Sequence, residues 1–302
     1  MTHILLLGAN GQVGWELQRS LAPLGKLIAC TRRDVDLQHP HMLEQLVDRV
    51  QPAVIVNAAA YTAVDKAESE SDIARRINAE SVALLAKLAA QRDAWFVHYS
   101  TDYVFNGKKL GPYLETDPTC PLNMYGETKL EGEHAILDSG CKHLTFRTSW
   151  VYARRGNNFA KAMLKLAAER ESLKVVADQI GAPTSAELIA DVTALAVYHA
   201  IKSPASSWRL SDIYHLAASG ETSWYEYARF VIEAAEQFGK SYKVSSSQVQ
   251  PISTAEYPTQ AMRPANSRLD ISKLENVFGI TLPHWQMHAS RLVAELNDAR
   301  IL

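Results

Sequence analysis

Cysteine is scarce in this chain. Cys30, Cys120 and Cys141 are three in 302 residues, odd in number, widely spaced and without a C-x-x-C pair. That excludes a disulfide framework and a structural zinc site, and it suits a reducing, cytoplasmic compartment. Long apolar runs are lacking too. The first extends only from Ile4 to Leu7, with no basic flank before it and a break at Gly8, so it does not read as a signal peptide. No run approaches the roughly 20 residues that a membrane-spanning helix needs. Charge of one sign is also missing: 31 Lys and Arg stand against 33 Asp and Glu, a net −2. No field directed at nucleic acid or an anionic membrane results, and an anionic substrate must be held by a few local cations. With 47% hydrophobic residues, the chain can bury a large core, in one α/β unit or in two domains sharing a cleft.

Residues 3–7 (HILLL) read as a short buried strand, followed at once by Gly8-Ala9-Asn10-Gly11-Gln12-Val13-Gly14 and an apolar-periodic helix through Trp15, Leu17, Leu21 and Leu24. Strand, glycine turn and helix together make a dinucleotide site. Gly8, Gly11 and Gly14 let the backbone bend and approach a pyrophosphate, which sits on the free N–H groups of the helix N-terminus. A second strand over 27–30 ends in Thr31-Arg32-Arg33, where an NAD-preferring fold usually carries an acid. Arg32 or Arg33 suits a ribose 2′-phosphate, so NADPH is expected, the alternative being a solvated basic loop. Asp36 and Leu37 lie near enough to border the adenine side, and NADH stays usable.

A helix over 40–50, a buried strand over 52–57 running into the small residues Ala58 to Ala60, a helix over 81–90 and a strand over 95–99 continue the alternation. With the strand over 144–148 the pattern makes a doubly wound parallel sheet, Rossmann-like, which binds ligands at the C-terminal ends of its strands. The expected division is a dinucleotide-binding domain over 1–152 and a smaller, mainly substrate-binding lobe over 153–302, with some segments returning to the sheet. Arg263, in a proline-containing loop of that lobe, is a candidate substrate-binding residue.

The chemistry is expected in PLNMYGETKLEGE, 121–133. Tyr125 and Lys129 stand four apart in a run that reads as helix, which puts both on one face, about 6 Å apart along the axis. An ammonium near a phenol favours the phenolate, so Tyr125 would pass a proton well below its ordinary pKa of about 10. After the strand over 95–99, Thr101 offers a hydroxyl to share a carbonyl oxygen with Tyr125.

Gly8-x-x-Gly11-x-x-Gly14, Asn57-Ala58-Ala59-Ala60, Ser100-Thr101-Asp102 and Tyr125-x-x-x-Lys129, in this order, resemble the extended short-chain dehydrogenase/reductase family. Within it, STDYVF, YGETKLEGE, FRTSWVY, GNNFAK, DQIGAPT and RPANSRL carry a resemblance to the branch that reduces 4-keto-6-deoxy sugar nucleotides, over essentially the whole length. The resemblance implies a cytoplasmic, homodimeric enzyme that reduces the C4 ketone of dTDP-4-dehydro-L-rhamnose. It implies Thr101, Tyr125 and Lys129 as the catalytic set. It further implies that Gly11 to Val13, Thr31, Asp36, Leu37, Ala60, Tyr61, Thr62, Tyr99, Tyr125 and Lys129 face the cofactor, and Thr101, Asp102 and Trp150 the sugar. Some members hold Mg²⁺; here Glu187 and Asp191, four apart on a helix face, would share it with Glu16 across a subunit contact, unless they form only a solvated acidic face.

A 4,6-dehydratase of this family carries Glu after the Thr-Asp pair, where Tyr103 stands here, so elimination chemistry is not expected. A 4-epimerase keeps Tyr and Lys but recycles tightly held NAD. A regulatory subunit of methionine adenosyltransferase resembles these reductases without needing Thr101, Tyr125 and Lys129 together.

Overall fold

Six strands, all paired in parallel, form the central sheet in the computed structural model, which describes residues 2–202 and 208–298. In chain order the elements that build it are β1 (His3–Leu7), α1 (Gln12–Leu21), β2 (Lys26–Cys30), α2 (Pro40–Val50), β3 (Val54–Asn57), α3 (Ser81–Gln91), β4 (Trp95–Thr101), α4 (Met124–Ser139) and β5 (Lys142–Thr148). The second half adds α5 (Phe159–Glu169), α6 (Ala186–Lys202), β6 (Asp212–His215), α7 (Trp224–Gln237) and α8 (Trp285–Asp298). Strand order across the sheet is β6-β5-β4-β3-β1-β2.

The inner strands are apolar on both faces because helices cover both faces. Ile4, Leu6, Val54, Val56 and Val97 turn to the layer that holds α1 and α6. Leu5, Leu7, Ile55 and Phe96 alternate to the layer of α2 and α3. Full burial of each such side chain stabilises by roughly 1.5–3 kcal/mol relative to exposure. Since all strands run the same way, Leu7, Cys30, Asn57, Thr101 and Thr148 end along one edge, and the glycine turn and the Ser100-Thr101-Asp102 segment lie at or just beyond it.

Two differences from the sequence reading have local causes. The sixth strand, β6, is a four-residue edge strand beginning with the exposed Asp212 and pairing with β5. It is too short and too polar at its start to stand out as a buried run. Trp15 is 48% exposed on α1; its ring packs under the Arg155 guanidinium, 4.2 Å away, while Leu17 and Leu21 carry the core face.

Short strands of the second half pair among themselves, Lys174–Val176 with Gln250–Ile252, beside an apolar cluster of Met163, Leu173, Val175, Ala228 and Ile232. Among the described residues no helix is long and apolar enough to cross a membrane.

Candidate active site

A cavity of about 660 Å³ opens along the C-terminal edge of the sheet. Its floor is the glycine turn. Gly8 has φ +79°, and a Cβ there would stand 2.7 Å from the Ala59 nitrogen; a Cβ on Gly14 would meet the Gly8 carbonyl oxygen at 2.1 Å. The turn, the start of α1 and the end of β3 therefore close on one another only because side chains are missing, and the N–H groups that open α1 are left facing the cavity. Gly11, Gln12, Val13, Leu37, Ala60, Thr62 and Tyr99 line it, with Arg32 and Asp36 at one end. Such a cradle, with a basic end, fits a dinucleotide.

At that end Thr31, Arg32, Arg33 and Asn10 surround a second, smaller opening. The Arg32 Nε donates to Asp36 Oδ2 at 3.1 Å, and Asp36 Oδ1 accepts from the Gln38 N–H at 3.0 Å. Thr31 turns its hydroxyl onto Asp34 at 2.8 Å. Tyr61 departs from expectation: its phenol leaves the cavity to bond Glu70 at 2.5 Å. Its backbone is what the site uses. Asn78, buried in a π turn over Arg76–Glu80, accepts from the Tyr61 N–H, donates to the Tyr61 carbonyl and donates to Thr128 on α4. One polar side chain thus pins the loop of residues 60–62 to α4, a use typical of π turns at functional sites.

The candidate reacting groups gather where β4 ends. Thr101 caps the following turn by accepting from the Tyr103 N–H at 3.2 Å, and donates to Asp102 Oδ1 at 3.1 Å. Asn123 caps α4 by accepting from the Gly126 N–H at 2.8 Å. Gly126 lets the helix start press on Tyr103, whose carbonyl oxygen would lie 2.2 Å from any Cβ there. Tyr125 consequently enters the cavity, its ring edge-on to Tyr103 at 5.6 Å.

The expected effect of Lys129 on Tyr125 is not what the geometry produces. Burial pushes the phenol up to about 12, Thr101 pulls it down, Asp102 pushes it up, and Lys129 is not among the groups that act on it. The reason is that the lysine reaches down to the strand, donating to the Tyr99 carbonyl at 2.6 Å and lying 3.1 Å from His98 Nε2. At neutral pH Tyr125 is therefore a protonated phenol, the form a proton donor requires. Below Lys129, Glu133 accepts from Ser100 and is held by Arg147, whose Nη2 is 2.7 Å from Oε2.

Asp102 is 2% exposed and its Oδ2 makes no hydrogen bond among the described residues. Burial pushes its carboxyl up to about 7, against the pull of Ser267 and Thr101. A proton held in the folded state and released by the unfolded chain, whose ordinary value is 3.8, makes a contribution to stability that is full below the unfolded value and lost as pH rises through the folded one. Urea melts across about pH 4–7 are expected to show this decline in the wild type and less of it in Asp102→Asn. Equal slopes in the two proteins would remove the assignment.

Trp150 carries the strained backbone of the site, φ +48° in a non-glycine residue. Its indole stacks on Trp224 at 3.5 Å and lies over Gly181, where a Cβ would come within 2.6 Å of the ring. Both tryptophans line the cavity, as does Asn157. Strain of this kind collects where function holds it in place. Arg263 does not line the cavity. It is tied to Asp65 at 2.8 Å, on the short helix Val64–Ala67 that follows β3, and to the Ala261 carbonyl.

The acidic trio behaves differently from expectation. Glu16 lies within electrostatic reach of Glu187 and Asp191 in the same chain, and burial together with Glu187 pushes its carboxyl up. Yet Arg19 bonds Asp191 at 2.7 Å and Arg291 stands 3.5 Å from Glu187. Among the described residues no three His, Cys, Asp or Glu converge as a metal site.

Sequence reasoning missed Asn78, His98, Glu133, Arg147 and Trp224. For one of these there was a signal: His98, like Ser100, is polar at alternate positions of an otherwise apolar strand, hence on one face with it, the face that meets α4.

Residues 1–298 match the family described as RmlD substrate binding domain. The chain belongs to that family. It is 52% identical over 298 residues to the dTDP-4-dehydrorhamnose reductase of Escherichia coli (strain K12), covering 97% of this chain and 98% of that one. A solved dTDP-4-dehydrorhamnose reductase from Bacillus anthracis, in complex with NADP, superposes with a TM-score of 0.86 at 34% identity, over 98% of this chain and 100% of the other. Another, from Clostridium acetobutylicum, gives 0.87 at 34% identity, over 98% and 99%.

Proposed function

We infer that the chain uses NADPH to reduce the C4 ketone of dTDP-4-dehydro-L-rhamnose, giving dTDP-L-rhamnose for surface polysaccharide. The carrying observation is the meeting of Tyr125, Thr101 and Lys129 at the mouth of a glycine-floored dinucleotide cradle. Bound NADPH supplies the hydride. Tyr125 holds the proton that the new hydroxyl needs; the ketone oxygen accepts from its phenol and, once substrate draws the Thr101 hydroxyl off Asp102, from Thr101 as well. Lys129, anchored on Tyr99, presents its remaining donor to the nicotinamide ribose. Trp150 and Trp224 give the sugar an apolar wall on the side away from the nicotinamide. The absence of a carboxylate next to Asp102, where Tyr103 stands, leaves no base for eliminating water.

Incubation with NADPH and a panel of 4-keto-6-deoxy sugar nucleotides tests the reading. Oxidation of one NADPH per dTDP-4-dehydro-L-rhamnose consumed is expected. Interconversion of sugars without net oxidation would make the protein an epimerase, and binding without turnover a regulatory subunit.

Cofactor choice is the finer part of the reading. Arg32 and Arg33 are the cations at the adenosine end, and a charge-assisted contact to a 2′-phosphate is worth about 1.5–3 kcal/mol. Arg32 is 70% exposed and already paired with Asp36, which pulls the effect down to roughly a tenfold preference for NADPH over NADH. Fluorescence titration at low salt of Arg32→Ala and Arg33→Ala should show the preference shrink in one of them; equal affinities for both cofactors in the wild type would show that neither arginine reaches the phosphate.

The exposed Trp15 on α1 and Leu195 and Tyr198 on the neighbouring α6 favour a second copy of the chain on this face. A divalent cation is part of the proposal only if that copy completes the carboxylate set. Sedimentation velocity with Mg²⁺ and with a chelator tests both. Dependence on NADPH and the unpaired Cys30, Cys120 and Cys141 favour the cytoplasm.

A further inference from the structure

His98 has no part in the chemistry described so far, yet it is buried directly behind it. The residue is 1% exposed, on the face of β4 that meets α4, with its Nε2 3.1 Å from Lys129 Nζ. Lys129 is itself 1% exposed. An ammonium without water needs protein acceptors for its donors. Tyr99 supplies one through its carbonyl, and the imidazole is the second. The charged and titratable neighbours on each side are few. Glu133 faces the lysine from its own helix, His143 on β5 lies beyond His98, and from β3 the imidazole meets the uncharged Asn57 amide, 3.4 Å from Nδ1. The Asn57 Nδ2 is itself a donor and favours the opposite tautomer, but an ammonium has no lone pair to accept with, so the shorter, charge-assisted contact at 3.1 Å makes Nε2 the acceptor.

We propose that His98 is a positioning residue for the reaction: its neutral imidazole accepts a hydrogen bond from Lys129 through Nε2, and with the Tyr99 carbonyl it fixes the ammonium so that the remaining donor points to the cofactor ribose. This rests on the reading of Lys129 as a cofactor contact. Two acceptors below the lysine set its direction and stabilise its charged form; losing one leaves a buried ammonium with a single acceptor, which turns more freely and gives up its proton at lower pH. Burial already holds Lys129 down to about 8, against the upward pull of Glu133.

NADPH dissociation constants measured by fluorescence across about pH 6–9.5 read the effect without turnover. In the wild type, binding is expected to weaken above about pH 8 as Lys129 loses its charge. His98→Phe keeps the ring and its packing but offers no acceptor, so the break should move down by about one pH unit. His98→Gln places an amide oxygen near the position of Nε2 and should restore the wild-type profile. Lys129→Met should show no break at all and weaker binding at every pH. If Lys129→Met binds NADPH as the wild type does, the cofactor role of the lysine fails. If that role holds and the break stays unmoved in His98→Phe, the proposal for His98 alone is overturned. A break displaced to higher pH would mean that the imidazole presents an N–H to the lysine, and it overturns the proposal too. Should His98→Phe not fold, His98→Gln decides: a shifted break in that variant contradicts the role of the acceptor.

Discussion

Replacing Tyr125 with phenylalanine is expected to lower turnover by about 10²-fold or more while NADPH affinity stays within about twofold of the wild type. The substitution removes one hydroxyl and leaves the ring, and with it the edge-on contact to Tyr103. Packing and the position of α4 should therefore survive, and the loss falls on proton delivery alone. Because the phenol is held up near 12 rather than lowered, the wild type carries its proton throughout the physiological range, and turnover should not depend on Tyr125 ionisation below about pH 9. Single-turnover measurements of NADPH oxidation separate this step from cofactor binding. Near-normal turnover in the variant would remove Tyr125 as the acid.

The largest effect on stability is expected from Arg147→Ala. Arg147 and Glu133 are buried with side chains 4% and 1% exposed, joined by Nε and Nη2 contacts, with Ser100 as a third partner and the Glu115 carbonyl accepting from Nη1 at 3.3 Å. Removing the guanidinium leaves an uncompensated carboxylate beneath α4, which should destabilise the fold by about 3–5 kcal/mol in urea melts. Arg147→Met combined with Glu133→Leu removes both charges and keeps apolar volume, so it should recover most of that loss. The two results together distinguish a charge effect from a packing effect. A double variant as unstable as the single one would mean that volume, not charge, dominates.

The parts of the site that were legible in the sequence are those whose geometry is local. Gly8, Gly11 and Gly14 announce their turn because strand, turn and helix are contiguous, and Tyr125 and Lys129 share a helix face by spacing alone. Arg32 and Asp36, four apart, are likewise neighbours. What could not be read is what the sheet brings together from a distance. His98 meets Lys129 across 31 residues and Asn78 meets Thr128 across 50; Trp224 reaches Trp150 only because α7 folds back over the strand ends. Tyr61 and Arg263 have partners that were hidden for a related reason. Each has an acid partner, Glu70 and Asp65, that takes its polar end away from the cavity. The sixth strand was hidden by its shortness and its edge position, where half of the ladder faces no partner and the apolar pattern is correspondingly weak.

The central claim is that this cleft delivers hydride to C4 of the sugar while Tyr125 protonates the oxygen on that carbon. Isotope tracing tests it most directly: dTDP-4-dehydro-L-rhamnose is turned over with NADPH deuterated at both positions of the nicotinamide C4, in ordinary water, and the product is examined by NMR. One deuterium bonded to C4 of dTDP-L-rhamnose for each NADPH oxidised is the expected result. Product without deuterium at C4, or deuterium at another ring carbon, would contradict it.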